Sequence, residues 1–212
     1  MESLLATTLW DEHNWKIIQG RIAAVQCAHY LNVGRNVIAK KFCDEFASEC
    51  EIFVALDTDH SFTPQQVMHL VSLVDPITSP VVSGLYYACD ELGNQVRPVV
   101  LRRKSDGSLD TQWEIPPDCM IEVDVVGMGF CAIHRDVLLG IRNLAGDHWY
   151  DFDETDRGDF MPEDNAFCRR VKEYLGLPIH VHSGIEIGHV KTVEISGKDK
   201  RRADRAQKGL AP

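Results

Sequence analysis

The sequence predicts an α/β protein built as one domain, and three observations carry that expectation. The chain has 212 residues, enough for one full-sized domain and short for two. Its hydrophobic fraction of 44% supports a packed core. The third is Ile52-Phe53-Val54-Ala55-Leu56, a short apolar run, β-branched and aromatic, that stops at acids. Such a run reads as a strand buried on both faces in the middle of an α/β sheet.

The other elements follow in order. Leu4, Leu5, Leu9, Trp10 and Ile17 suit an amphipathic helix from Met1 to about Ile18, ended by Gly20. Ile22 to Ala28 reads as a strand. Val37, Ile38, Phe42 and Phe46 then recur at helical spacing, with Arg35 and Asn36 at the start of that helix, where free backbone N–H groups favour anions. A cap with a surface charge explains those two residues equally well. After the apolar run, Thr63 suits an N-cap and Pro64 the first helical position. Val67, Leu70, Val71 and Val74 form that helix's buried face, and Asp75-Pro76 stops it.

Val81 to Tyr87 is a strand interrupted by Ser83-Gly84, a place for close backbone approach. Val96 to Arg102 is a further strand, Lys104 to Gly107 a turn, and Pro116-Pro117 a break. Ile121, Val123 and Val125 alternate with acids, as in a half-buried strand. Gly127-Met128-Gly129 precedes the apolar run Phe130 to Ile133 and lacks the third glycine of a dinucleotide fingerprint. Arg135 to Leu139 begins a helix. Pro162-Glu163-Asp164 opens another, with Phe167, Val171, Tyr174 and Leu175 inward and Gly176 at its end. Ile179 to His182 is a short strand, followed by Ile187-Gly188-His189-Val190.

A net charge of −10 argues against a general polyanion binder. The seven cysteines (Cys27, Cys43, Cys50, Cys89, Cys119, Cys131 and Cys168) are odd in number and form no C-x-x-C pair. Several lie in apolar runs, which suits reduced thiols and a cytoplasmic protein. No apolar stretch reaches membrane-span length, and the N-terminus lacks a signal-peptide pattern. Lys198 to Pro212 is basic and reads as a solvated, flexible tail, leaving residues 1–197 as the domain.

The candidate chemistry gathers just past the Ile52–Leu56 run. Asp57 and Asp59 stand beyond the carboxyl end of that strand, the edge where open α/β sheets bind ligands. As alternate residues of an extended segment they point the same way. Two close carboxylates repel unless a cation lies between them, and Mg²⁺ or Mn²⁺ suits oxygen ligands. A plain turn is the competing reading, since Asp is common there. Asp147 to Asp164 is dense in acids and aromatics, among them Trp149, Phe152, Asp156 and Phe160. Read as a loop over the site, it offers rings for sugar faces and carboxylates for hydroxyls; a solvated acidic loop is the alternative. Glu163 and Asp164 complement a helix dipole and also stand where they can project into a site.

Taken together, these segments resemble the GT-A glycosyltransferases, specifically the family-two-like enzymes of bacteria and their phages. Asp57-Thr58-Asp59 resembles the DxD that holds Mn²⁺ or Mg²⁺ under the donor diphosphate. Arg35-Asn36 resembles the segment upstream of DxD, and Ser83-Gly84-Leu85-Tyr86 the strand after it. Val126 to Phe130 with Arg135-Asp136 is similar to the segment below the sugar. Glu163-Asp164-Asn165-Ala166-Phe167-Cys168-Arg169-Arg170 is similar to the helix carrying the catalytic acids, and Ile187-Gly188-His189 to the closing segment whose His completes the metal shell. Order and spacing agree over roughly residues 20–195.

The resemblance implies a nucleotide-diphospho-sugar transferase sandwich around a mixed, mostly parallel central sheet, and an inverting hexosyl transfer. Asp59 and His189 would be metal ligands, with Asp57 reaching the metal or the ribose. Arg35, Asn36, Gly84, Gly127 and Gly129 would line the donor site, and Trp149 and Phe152 would hold an acceptor or sugar ring. Asp164 would be the base that deprotonates the acceptor hydroxyl, with Glu163 beside it on donor or acceptor hydroxyls. A mixed oxygen and imidazole shell tilts the metal toward Mn²⁺. The partners would be a nucleoside-diphosphate sugar and a hydroxyl on a glycan, a lipid-linked intermediate, a protein or a modified nucleobase.

The family's opening strand, with its base-gripping loop, has no counterpart before the first helix. That departure keeps open a degenerate nucleotide-sugar-binding protein without turnover. D-x-D after a strand also opens the haloacid-dehalogenase pattern of metal-dependent phosphohydrolases. The closing His189, and the lack of a Gly after the second Asp, count against it.

Overall fold

The computed structural model describes residues 30–90, 95–155 and 158–191. The expected helix over Met1–Ile18, the strand Ile22–Ala28, Cys27, Asp156 and the basic tail lie outside the described residues, as does the stretch on which the expectation of an absent first strand rests.

Helix α1 (Leu31–Lys41) runs into a π-helical turn, Phe42–Phe46. It begins earlier than its apolar spacing suggests, with Tyr30 as the extended N-cap. Arg35 and Asn36 therefore lie inside the helix, where their backbone N–H groups are taken up. They act through their side chains and not as a helix N-terminus. Strand β1 (Ile52–Leu56) follows, then the two-residue strand β2 (His60–Ser61) and helix α2 (Pro64–Ser72). The start of α2 is as the sequence predicts. Thr63 caps it, Pro64 opens it, and Gln66 completes a reciprocal box by accepting from the Thr63 N–H at 2.8 Å.

Strands β3 (Val81–Leu85), β4 (Tyr87–Ala88), β5 (Arg97–Pro98), β6 (Val100–Arg103), β7 (Leu109–Thr111), β8 (Met120–Val123), β9 (Val125–Val126) and β10 (Phe130–His134) come next. Helix α3 (Arg135–Ala145) follows, then a small hairpin of β11 (Asp153–Glu154) and β12 (Phe160–Met161). Helix α4 (Glu163–Arg169) continues into a π-helical turn, Arg170–Tyr174. Strands β13 (Ile179–Glu186) and β14 (Gly188–His189) close the described chain.

The central sheet has the order β1-β10-β3-β13-β8. It is mixed, and only β3 and β13 pair in parallel; β1–β10, β10–β3 and β13–β8 are antiparallel. The expectation of a mostly parallel sheet is corrected accordingly: β10 and β8 run against the other three strands, β10 between β1 and β3 and β8 at the far edge. β1 is the end strand of the described sheet, and each of its residues is half-buried, so the expectation of burial on both faces is also corrected. An apolar run alone does not distinguish a central strand from one whose outer edge is open.

Strand periodicity of two sorts the core into two layers. Val81, Cys131 and Ile133 face one cluster with Val137, Leu138, Ile141 and Phe167 from α3 and α4. Val82, Phe130 and Ala132 face the other, with Val67, Met68 and Leu70 of α2. Helices thus cover both faces, the arrangement of an α/β sandwich. Among the described residues no helix is long and apolar enough to cross a membrane.

Candidate functional site

One edge of this sheet collects the polar groups. β1 and β3 end there, β10 begins there because it runs the opposite way, and β13 leads out of the sheet there into β14. Two adjoining clusters result.

The first comprises Asp59, His60 and His189, each offering a ligand atom within 4.8 Å of the others. A short antiparallel ladder builds it: β14 pairs with β2 so that His189 lies opposite His60 and Gly188 opposite Ser61. The Val190 N–H extends the ladder by donating to the Asp59 carbonyl at 2.7 Å. His189 Nε2 lies 3.1 Å from Asp59 Oδ2, and its Nδ1 lies 2.9 Å from the Tyr87 carbonyl. That second contact fixes the ring and leaves Nε2 facing the acid. Burial acts against ionisation of Asp59, but the hydrogen bond and charge of His189 overcome it and hold the carboxyl below its usual range. His60 is 5% exposed; among the described residues neither ring nitrogen has a hydrogen-bond partner, and Nδ1 lies 3.4 Å from Asp59 Oδ1. Burial, then the neighbouring His189, push its pKa down, so the imidazole is neutral at pH 7.

The second cluster is centred on Arg35. Its guanidinium lies 3.2 Å from Asp57 Oδ2 through one terminal nitrogen and 3.2 Å from Asp164 Oδ1 through the other. The Asp164 Oδ2 accepts from the Met128 N–H at 3.2 Å. Burial pushes the Asp164 carboxyl up to about 6; Arg35 and the Met128 N–H oppose the rise, and Glu163 and Asp57 add to it. Arg35 itself is held charged: burial alone would lower its pKa, and Asp164 and Asp57 outweigh it. Tyr86 completes the floor, its hydroxyl accepting from the Gly129 N–H at 3.3 Å, with burial keeping the phenol protonated.

Asp57 and Asp59, expected to face one site together, divide between the clusters. Asp57 joins Arg35, and Asp59 joins the histidines. Gly129 lies between them: its carbonyl accepts from the Asp57 N–H at 2.8 Å, and a Cβ there would come 2.4 Å from His60 Cε1 and 2.9 Å from Asp57 Oδ2. Gly127 packs under Tyr86, whose hydroxyl would lie 1.8 Å from an added Cβ. Gly84, expected against a donor, is buried in β3 with Phe130 and the Ile185 carbonyl occupying that space, so its closeness is to the protein's own core. Asn36 reaches sideways: its carbonyl accepts from the Tyr150 N–H at 2.8 Å and its amide donates to Asp151, binding α1 to the acid-rich loop.

Trp149 is a correction. It is fully buried, its indole N–H donates to the Leu138 carbonyl at 2.7 Å, and it belongs to the core under α3. No ring face is left for a ligand. Phe152 is 40% exposed and tilts against the exposed Phe160 of the hairpin, so this part of the loop does present aromatic surface. Glu163 and Asp164 occupy the first turn of α4, which begins beside this hairpin.

Two members of the site escape sequence reasoning. His60 reads as a bystander beside Asp59 until the β2–β14 ladder sets it opposite His189. Tyr86 reads as one more residue of a strand. The available signal for the first was a His directly after the second acid, with another His ending the last strand among the described residues.

No protein-family model matches the chain, and no curated protein matches it. Among solved structures it is similar to A197 from STIV, at 20% identity and a TM-score of 0.51, over 83% of this chain and 76% of that one. At that identity the likeness is one of fold alone.

Proposed function

We propose that this protein is a metal-dependent glycosyltransferase that moves a sugar from a nucleoside-diphosphate sugar to an acceptor hydroxyl with inversion. The observation that carries the reading is the Asp59–His60–His189 cluster beside the Arg35-bridged carboxylates, at the edge where strands β1 and β3 end. The buried ring nitrogens of His60 make no hydrogen bond among the described residues, and Nδ1 lies 3.4 Å from Asp59 Oδ1, an arrangement that fits a shared cation because buried polar atoms ordinarily find a partner. One carboxylate and two imidazoles suit Mn²⁺ better than Mg²⁺. Bound there, the metal would neutralise charge on the departing diphosphate.

The chain's own residues supply the rest. The acceptor oxygen bonds to the anomeric carbon as the bond to the diphosphate breaks, and the acceptor's proton passes to Asp164. A carboxyl near 6 is ionised at pH 7 and still basic enough for that task. Glu163, one residue earlier on α4, orients hydroxyls. The Gly129 backbone, held by Tyr86 and Asp57, keeps the floor rigid.

One observation favours binding without turnover. Arg35, 3.2 Å from Asp164, weakens it as a base. A thermal-shift screen of nucleoside diphosphates and nucleotide sugars, with and without Mn²⁺, followed by assay of sugar release, decides between them. Mn²⁺-dependent stabilisation with sugar release or transfer supports the transferase. Stabilisation without either supports the binding protein, and no stabilisation removes both.

A further inference from the structure

A cavity of about 330 Å³ lies between the ends of β3 and β13 and the 113–118 segment. Tyr87 and Glu186 line it, and the Tyr87 carbonyl is the group that fixes the His189 ring. Tyr87 therefore connects the cavity to the Asp59–His60–His189 cluster. Trp113, 64% exposed, also lines it, with Leu85, Val96, Pro98, Ile115 and Pro117 adding apolar surface.

The wall opposite β13 is built with evident constraint. Ser183 donates to the Pro116 carbonyl at 2.6 Å and accepts from the Cys119 N–H at 3.0 Å, so its hydroxyl fastens the 116–119 turn to β13. That turn carries Asp118, the one non-glycine residue at positive φ among the described residues. Its carboxylate lies over Gly184, where an added Cβ would come within 2.2 Å of Asp118 Oδ1. A side chain on β13 at that point would displace the acid, so the glycine and the unusual backbone angle both serve its position.

Among the described residues the lining holds two carboxylates, Asp118 and Glu186, and no cationic side chain. A diphosphate would be repelled there. An exposed indole with carboxylates beside it is instead what a polyhydroxylated ring needs, with C–H groups on the ring face and hydroxyls donating to the acids. We propose that this cavity is a carbohydrate subsite that seats a neutral sugar ring of the acceptor on Trp113, with Asp118 and Glu186 receiving its hydroxyls. The acceptor role rests on the transferase reading above; the carbohydrate subsite does not.

The test is saturation-transfer NMR of the full chain with millimolar glucose, galactose, mannose, N-acetylglucosamine, cellobiose and lactose, beside the Mn²⁺-dependent thermal shift with uridine diphosphate. Trp113 is largely exposed, so Trp113→Ala keeps the fold, and Asp118→Asn is a second, isosteric variant. At least one sugar should show transfer, weakened roughly tenfold or more in Trp113→Ala, with the nucleotide shift unchanged. No transfer to any of the sugars, or transfer unaffected in both variants, overturns the proposal. So does a Trp113→Ala protein that loses nucleotide binding, which would make this a base pocket. A wild-type protein with Trp113-dependent sugar binding and no nucleotide shift keeps the subsite and removes only its acceptor role.

Discussion

The imidazoles of His60 and His189 lie stacked, their centroids 4.6 Å apart and their planes 17° from parallel. Two protonated rings could not hold that geometry without repulsion, and His60 is already held neutral by burial. Metal binding likewise needs neutral imidazoles. Mn²⁺ should therefore raise the unfolding midpoint near pH 7.5 and do so much less near about pH 5. Asp59→Ala, His60→Ala and His189→Ala should each remove the increment. If His60→Ala retains it in full, the ligand set excludes that ring.

Arg35 is the only bridge described between Asp57 and Asp164, and its planar fork serves both at once. Lysine cannot divide its charge in that way. Arg35→Ala should destabilise by on the order of 2 kcal/mol, between the values for exposed and buried pairs because Asp57 is partly open to solvent. Arg35→Lys should recover less than half of that. Urea unfolding curves measure both, and a loss of only a few tenths for Arg35→Ala would mean the bridge is structurally idle.

The fold class, the elements flanking the site and its edge of the sheet were legible because they depend on short-range signals. The apolar run into Asp57, the Thr63–Pro64 start of α2 and the Glu163–Asp164 start of α4 are of that kind. What was hidden depends on pairing between distant segments. The split of Asp57 from Asp59 requires Arg35, 22 residues before Asp57, to reach across from α1. The recruitment of His60 requires β14, whose register no local pattern prints. Trp149 misled for a related reason: acids surround it in sequence, while α3 covers it in space.

Trp149 and Phe152 separate core from surface within one loop. Trp149→Ala removes a fully buried indole and its hydrogen bond to the Leu138 carbonyl, at about 3–5 kcal/mol. Phe152→Ala opens no core cavity and should cost under about 1 kcal/mol. Equilibrium denaturation of the two variants checks this, and similar losses would show the hairpin to be as well packed as the core beneath it.

Asp164 yields a prediction in which pH supplies the sign. Burial raises its carboxyl to about 6, so the folded protein holds this proton more tightly than the unfolded chain does. Stability from this group is present at about pH 4 and is lost as pH rises through about 6. Asp164→Asn has no proton to lose there. Its midpoint relative to wild type should rise between about pH 4 and pH 7, by on the order of 5 °C. The comparison is made without metal, so the histidines titrate alike in both proteins and cancel. Asparagine keeps the shape and can still face Met128, so nucleotide and Mn²⁺ should bind as in wild type. If Asp164 is the base, transfer should nevertheless fall about 10²–10⁴-fold in kcat. Glu163→Gln, which leaves the base in place, should be milder. A flat midpoint difference with transfer lost would mean that Asp164 acts in an ordinary carboxylate environment. A midpoint difference that rises with pH while transfer is retained would leave Asp164 a buried partner of Arg35 and place the base elsewhere.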